Sequence, residues 1–197
     1  MRPLSIVAVL LLWAVPALAQ NTPTRVRGTV EKLDGQELTV KSRDGQTLTI
    51  ALAPNVTVLA VVKKSLADIK PGDYVASTSV RRDGKLRAVE VHIFPEAMRG
   101  TAEGQFPWDL VPDSLMTNAT VAGITPGADG QTLKVTYKGG EAEVTVPPNT
   151  PVVGYVPADT GLLKPGTAIF AVAQKSPDGK LSAARITAEK DGVKPPM

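Results

Sequence analysis

Apolar side chains recur at every second position through the first third of the chain. Val26, Gly28 and Val30 alternate with polar residues, as do Leu38 and Val40, and then Leu48, Ile50 and Leu52. A period of two that favours β-branched residues marks half-buried strands. Asp44-Gly45 and Asp83-Gly84 stand between such runs, where two-residue primed turns belong. The stretch Ser65–Gly72 offers Ser65 as a helix cap and Pro71-Gly72 as a stop, which predicts a single helical turn. The order is three strands, a short helical insert and a two-strand hairpin.

The same landmarks return further on. Ile69-Lys-Pro-Gly72 is matched by Leu163-Lys-Pro-Gly166 at an offset of 94, and Asp83-Gly-Lys-Leu86 by Asp178-Gly-Lys-Leu181 at an offset of 95. Gly139-Gly140 takes the place of the first turn and Asp178-Gly179 that of the second. Landmarks in one order at a nearly constant offset predict a duplication over residues 25–94 and 117–188. Five strands in about 70 residues, with a glycine in the first, fit a five-stranded OB-type barrel, whose closure hides the strand edges. An open sandwich and an SH3-like barrel are the rivals. The expected fold is therefore all-β: two tandem five-stranded OB-like barrels, residues 25–94 and 117–188, joined by 95–116 and followed by a tail, 189–197.

The start of the chain gives an address. Arg2 is the only charge in the first 19 residues, and it precedes the apolar run Ile6–Trp13, Pro16 and the small-residue pattern Ala17-Leu18-Ala19. This is the pattern of a secretory signal peptide, residues 1–19, with cleavage expected after Ala19. No later stretch is apolar for long enough to predict a membrane span. A periplasmic or secreted location is expected. Intact mass of the exported protein checks it: a chain beginning at Gln20 is expected, and one that keeps residues 1–19 and stays in the membrane would refute it.

Composition removes several chemistries. Cysteine is absent and histidine occurs once, so disulfides, thiolate metal sites, a Cys nucleophile and multi-histidine metal centres are excluded. A formal charge of +3 on 197 residues argues no nucleic-acid partner. No Gly-rich phosphate loop and no GxSxG elbow occur. The expectation is a non-enzyme without a cofactor.

The segments VRGTVEKLDGQELTVKSRDGQTLTI, IKPGDYV and DGKLRAVEVHIFPEAMRG resemble a bacterial family of secreted, signal-peptide-bearing OB-like domains of unknown function, in its repeated form. The resemblance covers nearly all of the chain after residue 19. It implies a periplasmic or secreted bacterial protein, and no activity.

Chemistry concentrates between the repeats. In residues 95–116 Arg99 stands against Glu96, Glu103, Asp109 and Asp113, a net charge of −3. The segment also holds Phe106, Trp108, Met98 and Met116, which is more apolar bulk than a solvated linker carries. Two readings share these residues. Phe106, Trp108 and Met116 pack the segment against the barrels, Trp108 being the anchor; or Phe106 and Trp108 contact a ligand or partner. Alternation on the strand Leu86–Ile93 places Val89, Val91 and Ile93 in the core and turns His92 outward beside Glu90. His92, Met98 and Met116 together would form a soft, cuprous-type metal set. The leading expectation is a binding or scaffolding module for an envelope protein, a polysaccharide or a small ligand. The alternative is a periplasmic copper-type metal-handling protein.

Overall fold

A computed structural model describes residues 21–196; the expected signal peptide lies outside them. The described residues hold twelve strands, three short 3-10 turns and no α-helix. The strands are β1 (Thr22–Asp34), β2 (Glu37–Ser42), β3 (Thr47–Lys64), β4 (Tyr74–Arg82), β5 (Lys85–Ile93), β6 (Gly104–Pro107), β7 (Ser114–Gly127), β8 (Gly130–Tyr137), β9 (Gly140–Val146), β10 (Val152–Ala158), β11 (Ala168–Lys175) and β12 (Leu181–Ala188). The predicted turns are present. Asp83 and Gly84 both have positive φ, 49° and 77°, as a primed hairpin turn requires. Between β3 and β4, the Asp68 carboxylate accepts from the Ser65 amide at 2.7 Å and the Ser65 hydroxyl at 2.8 Å, which fixes the 3-10 turn Leu66–Asp68. Gly28 sits where a Cβ would meet the Lys41 carbonyl oxygen at 2.2 Å; β1 can cross β2 this closely only without a side chain.

The strands close into circuits, but not within each repeat. β1, β2 and β3 pair antiparallel in order, β12 closes onto β3 in parallel, and β11 joins β12 back to β1. This is a closed five-stranded barrel. β7, β8 and β9 pair in the same way, β5 meets β9 in parallel at Leu86↔Val144 and Arg87↔Thr145, and β4 joins β5 to β7. Each circuit thus takes three strands from one of the segments 25–94 and 117–188 and two from the other. The division into a barrel of residues 25–94 followed by one of 117–188 gives way to a strand exchange, all within one hydrogen-bonded network. Two separate cores follow the circuits. One contains Val30, Leu38, Ile50, Ile169 and Ile186, and the other Val75, Leu86, Val121, Leu133 and Val144.

The exchange has a physical cause in β3. At ~3.3 Å per residue its 18 residues extend about 60 Å, several times the reach of a small barrel strand. Its first part belongs to the first barrel, and its end, Val58–Lys64, runs on as an arm. The equivalent arm of the second repeat is β10, and the two arms pair antiparallel from Val58↔Ala158 to Lys64↔Val152. Val61 pairs with Tyr155, its own counterpart at the offset of 94, so a pseudo-two-fold axis passes between them. Arm pairing buries Leu59, Val61, Val153 and Tyr155, with Phe170, in a third apolar cluster. Two self-contained barrels would leave those residues without this cover.

Residues 95–116 are structured rather than a plain connector. β6 lies antiparallel on β7, with Phe106 opposite Met116. The Thr101 carbonyl accepts from the Tyr74 hydroxyl at 3.0 Å and from Asn118 Nδ2 at 3.1 Å. On the other side Asp109 accepts from Arg27 Nη2 at 2.7 Å and lies 3.6 Å from Arg25 Nη1. The segment therefore ties β7 of the second circuit to β1 of the first. In the tail, Val193 packs against the third cluster.

Candidate functional site

A groove of about 1240 Å³ runs along the seam between the two circuits. One wall comes from β1, β3, β11 and β12 through Arg25, Thr57, Phe170 and Arg185; the other comes from β4, β7 and the connecting segment. Met98, Phe106, Trp108 and Met116 all line it, together with Phe94 and Tyr155. The two readings of Phe106 and Trp108 thus meet at one place. Trp108 is half-buried: its ring lies edge-on to Phe106 at 6.0 Å and 6.2 Å from Phe170, with the Arg25 guanidinium 4.0 Å above it. A guanidinium at that height gains a cation–π attraction and covers the ring. Because the ring is only half enclosed, Trp108→Ala is expected to cost about 1–2 kcal/mol, below the 3–5 of a fully enclosed aromatic. Chemical denaturation measures it.

Two polar atoms at the groove lack partners. Trp108 Nε1 and Asn118 Oδ1 are buried and make no hydrogen bond, although Asn118 is only 6 % exposed. Buried donors and acceptors are nearly always satisfied, so these two are open to an ordered water or a bound molecule.

Behind the groove lies a polar chain that alternation along β5 does not foretell. His92 is 0 % exposed and Glu90 1 %, correcting the outward placement of both. The two still lie on the face opposite Val91 and Ile93, but that face is enclosed at the seam. A bulge at Val89, where Thr78 pairs with Glu90 but Ser79 with Ala88, brings Leu86 and Ala88 to the core face in its place. Leu86, Ala88 and Val91 fill the second core, while Glu90 and His92 face the seam, where the exchanged β10 covers them. His92 Nε2 lies 2.9 Å from Glu90 Oε2. Its Nδ1 is hydrogen-bonded to the Tyr155 hydroxyl, and Thr78 donates to Glu90 Oε1. Every side chain of the chain is thereby engaged, as burial of a carboxylate and an imidazole requires.

Hydroxyl, imidazole and carboxylate in line have the order of a nucleophile, base and orienting group. The electrostatics oppose that use. Burial first, and then the Glu90 charge, push the Tyr155 phenol well above its ordinary value, against a smaller opposite effect of Arg185. An activated nucleophile needs the reverse shift. At the groove Tyr155 is a neutral hydrogen-bonding group held in place by His92.

The proposed metal set is only partly assembled. Met98 and Met116 line the groove, but both ring nitrogens of His92 are taken by Tyr155 and Glu90. Among the described residues no cluster of three or more His, Asp or Glu side chains is arranged to hold a metal ion. Sequence reasoning missed Tyr155, Phe170 and Arg185. All three stand where the repeats differ in kind, opposite Val61, Ala76 and Glu90 at offsets of 94 and 95. Divergence between otherwise matching copies is the signal that could have found them.

Around the groove, partial desolvation works to raise the Asp109 carboxyl, but the Arg27 hydrogen bond and the Arg27 and Arg25 charges outweigh it and hold the group below its usual value. Burial pushes the Tyr74 phenol up to about 12, helped by Glu103 and opposed by Arg99. A proton bound more tightly in the folded state stabilises it below the unfolded value near 10. Stability should therefore fall as pH rises from 10 to about 12, as Tyr74 ionises and loses its bond to Thr101. Denaturation midpoints across that range test this, and a Tyr74→Phe variant with the same decline would contradict it.

Comparisons with protein-family models, curated proteins and solved structures return no match for this chain.

Proposed function

We propose that this protein is a non-enzymatic binding module acting outside the cytoplasm, and that its ligand is a small molecule held in the seam groove between two OB-type barrels. Each circuit runs first, second, third, fifth, fourth and back to first strand, with a parallel contact between third and fifth, which supports the OB-type Greek-key reading. The observation that carries the binding reading is the groove itself: concave, walled by aromatic and thioether side chains, and bordered by the two unpartnered polar atoms of Trp108 and Asn118. Small-molecule sites are concave and mostly apolar, with a few polar groups that fix orientation. The extracytoplasmic address rests on residues 1–19. No helix among the described residues is long and apolar enough to cross a membrane.

A concave site favours a small ligand over the flat surface of an envelope protein. The metal-handling alternative keeps Met98 and Met116 as groove residues but loses His92 to the buried chain. Nile red, a neutral apolar dye, tests the groove directly. It should bind with saturation and a blue-shifted emission, and Trp108→Ala with Phe170→Ala should weaken binding at least about tenfold, roughly the loss of 1.4 kcal/mol. No saturable binding, or binding indifferent to both substitutions, would contradict the proposal.

A further inference from the structure

The charges of the groove narrow the ligand class. Its charged lining residues are Arg25, Asp109 and Arg185. Asp109 is already shared by Arg25 and Arg27, so the one carboxylate in the lining is spent on two guanidiniums. Arg185 is exposed, and none of the ion pairs among the described residues includes it. It lies where β12 carries one extra residue against β11, between Ser182 and Thr187, which turns this stretch of strand out of plain alternation. Arg185 lies close enough to Tyr155 for its charge to act on the phenol. A cation without a carboxylate therefore lines the same groove as a hydroxyl fixed by His92. Across the same groove lies the apolar wall of Phe94, Met98, Phe106, Trp108 and Met116. Methionine side chains adapt to flexible, irregular apolar surfaces, and a volume of about 1240 Å³ exceeds the usual ~300–1,000 Å³ of a compact small-molecule site. An extended apolar body suits that space better than a compact ring.

We infer that the groove takes a single-chain amphiphile with a carboxylate head, the head at Arg185 and the chain along the aromatic and thioether wall. This rests on the binding reading above and names its ligand class. A guanidinium is the side chain best shaped to receive a carboxylate through two parallel hydrogen bonds. Arg25 and Arg27 are held by Asp109, and Arg25 also by the Trp108 ring, so Arg185 is the groove guanidinium left without a carboxylate.

The test uses the full-length mature chain and two fluorescent probes, parinaric acid and its methyl ester. The two share the same apolar body and differ in the charge. The acid should bind about tenfold more tightly than the ester, a difference of about 1.4 kcal/mol. Arg185→Gln should bring the acid down to about the affinity of the ester, and Arg185→Glu should invert the preference. Trp108→Ala should weaken both probes. Equal affinity of the unmodified protein for acid and ester would overturn the carboxylate head while the groove reading stands. A preference that survives Arg185→Gln would overturn the placement at Arg185. Failure of both probes and of Nile red to bind would overturn the groove reading together with this one.

Discussion

Replacing Glu90 by alanine should lower the free energy of unfolding by about 3–5 kcal/mol, the cost of breaking a buried hydrogen-bonded network and leaving two of its groups unsatisfied. The loss is large because the partners stay behind. His92 would keep a ring nitrogen, and Thr78 a hydroxyl, enclosed without the oxygens that now satisfy them. Glu90→Gln keeps the shape and both contacts with a neutral amide, so a smaller loss of about 1–2 kcal/mol is expected. Urea denaturation of the two variants gives the comparison. Equal, small losses in both would show that the chain from Thr78 to Tyr155 contributes little to stability, and would remove the reason for regarding Tyr155 as fixed.

The second large effect concerns the cores. Ile50→Ala in the first core and Leu133→Ala in the second each empty a fully buried site, and each should cost about 2–5 kcal/mol. Both losses should appear in one shared transition. The arm of β3 is continuous with its barrel strand, β10 pairs with β5 of the second circuit, and the two arms pair with each other, so melting either circuit removes support from the third cluster around Val61 and Tyr155. Two resolved transitions, with each substitution moving only its own, would mean that the arms do not couple the barrels.

Much of this architecture is legible in the sequence because it depends on local chemistry. Alternation of Val26, Val30, Leu38, Val40 and Ile50 identifies strands, and Asp83-Gly84 identifies a hairpin, whatever the strands pair with. The pairing partner is a different matter. Exchanging the last two strands of one copy for those of the other preserves every local pattern, since each strand enters the same kind of barrel with the same face inward. The only sequence trace is the length of the apolar run from Thr47 to Lys64, too long for one barrel strand. His92 illustrates the same limit. Period-two counting turns it away from Val91 and Ile93, which holds, but assigns that face to solvent, whereas the seam and Tyr155 of β10 enclose it. Phe106, Trp108, Met98 and Met116 could be picked out because apolar bulk in an acidic connecting segment needs an explanation. Their meeting with Tyr155, Phe170 and Arg185 could not, because the exchange is what brings β10, β11 and β12 to the same seam.

That exchange creates the seam groove, and the pairing of β1 tests it most directly. Thr22 is registered with Lys175, and both are exposed. In a barrel closed within its own repeat, the partner of Thr22 would instead be Arg81, the counterpart of Lys175 at the offset of 94. Registered antiparallel residues have Cα atoms about 4.5–5.5 Å apart, within the span of a disulfide, and the chain has no cysteine of its own. Oxidation of a Thr22→Cys, Lys175→Cys double variant should give an intramolecular disulfide in monomeric protein, identified by peptide mass, while a Thr22→Cys, Arg81→Cys variant should stay reduced. Cross-linking of the second pair and not the first would contradict the strand exchange, and with it the groove on which the functional proposal stands.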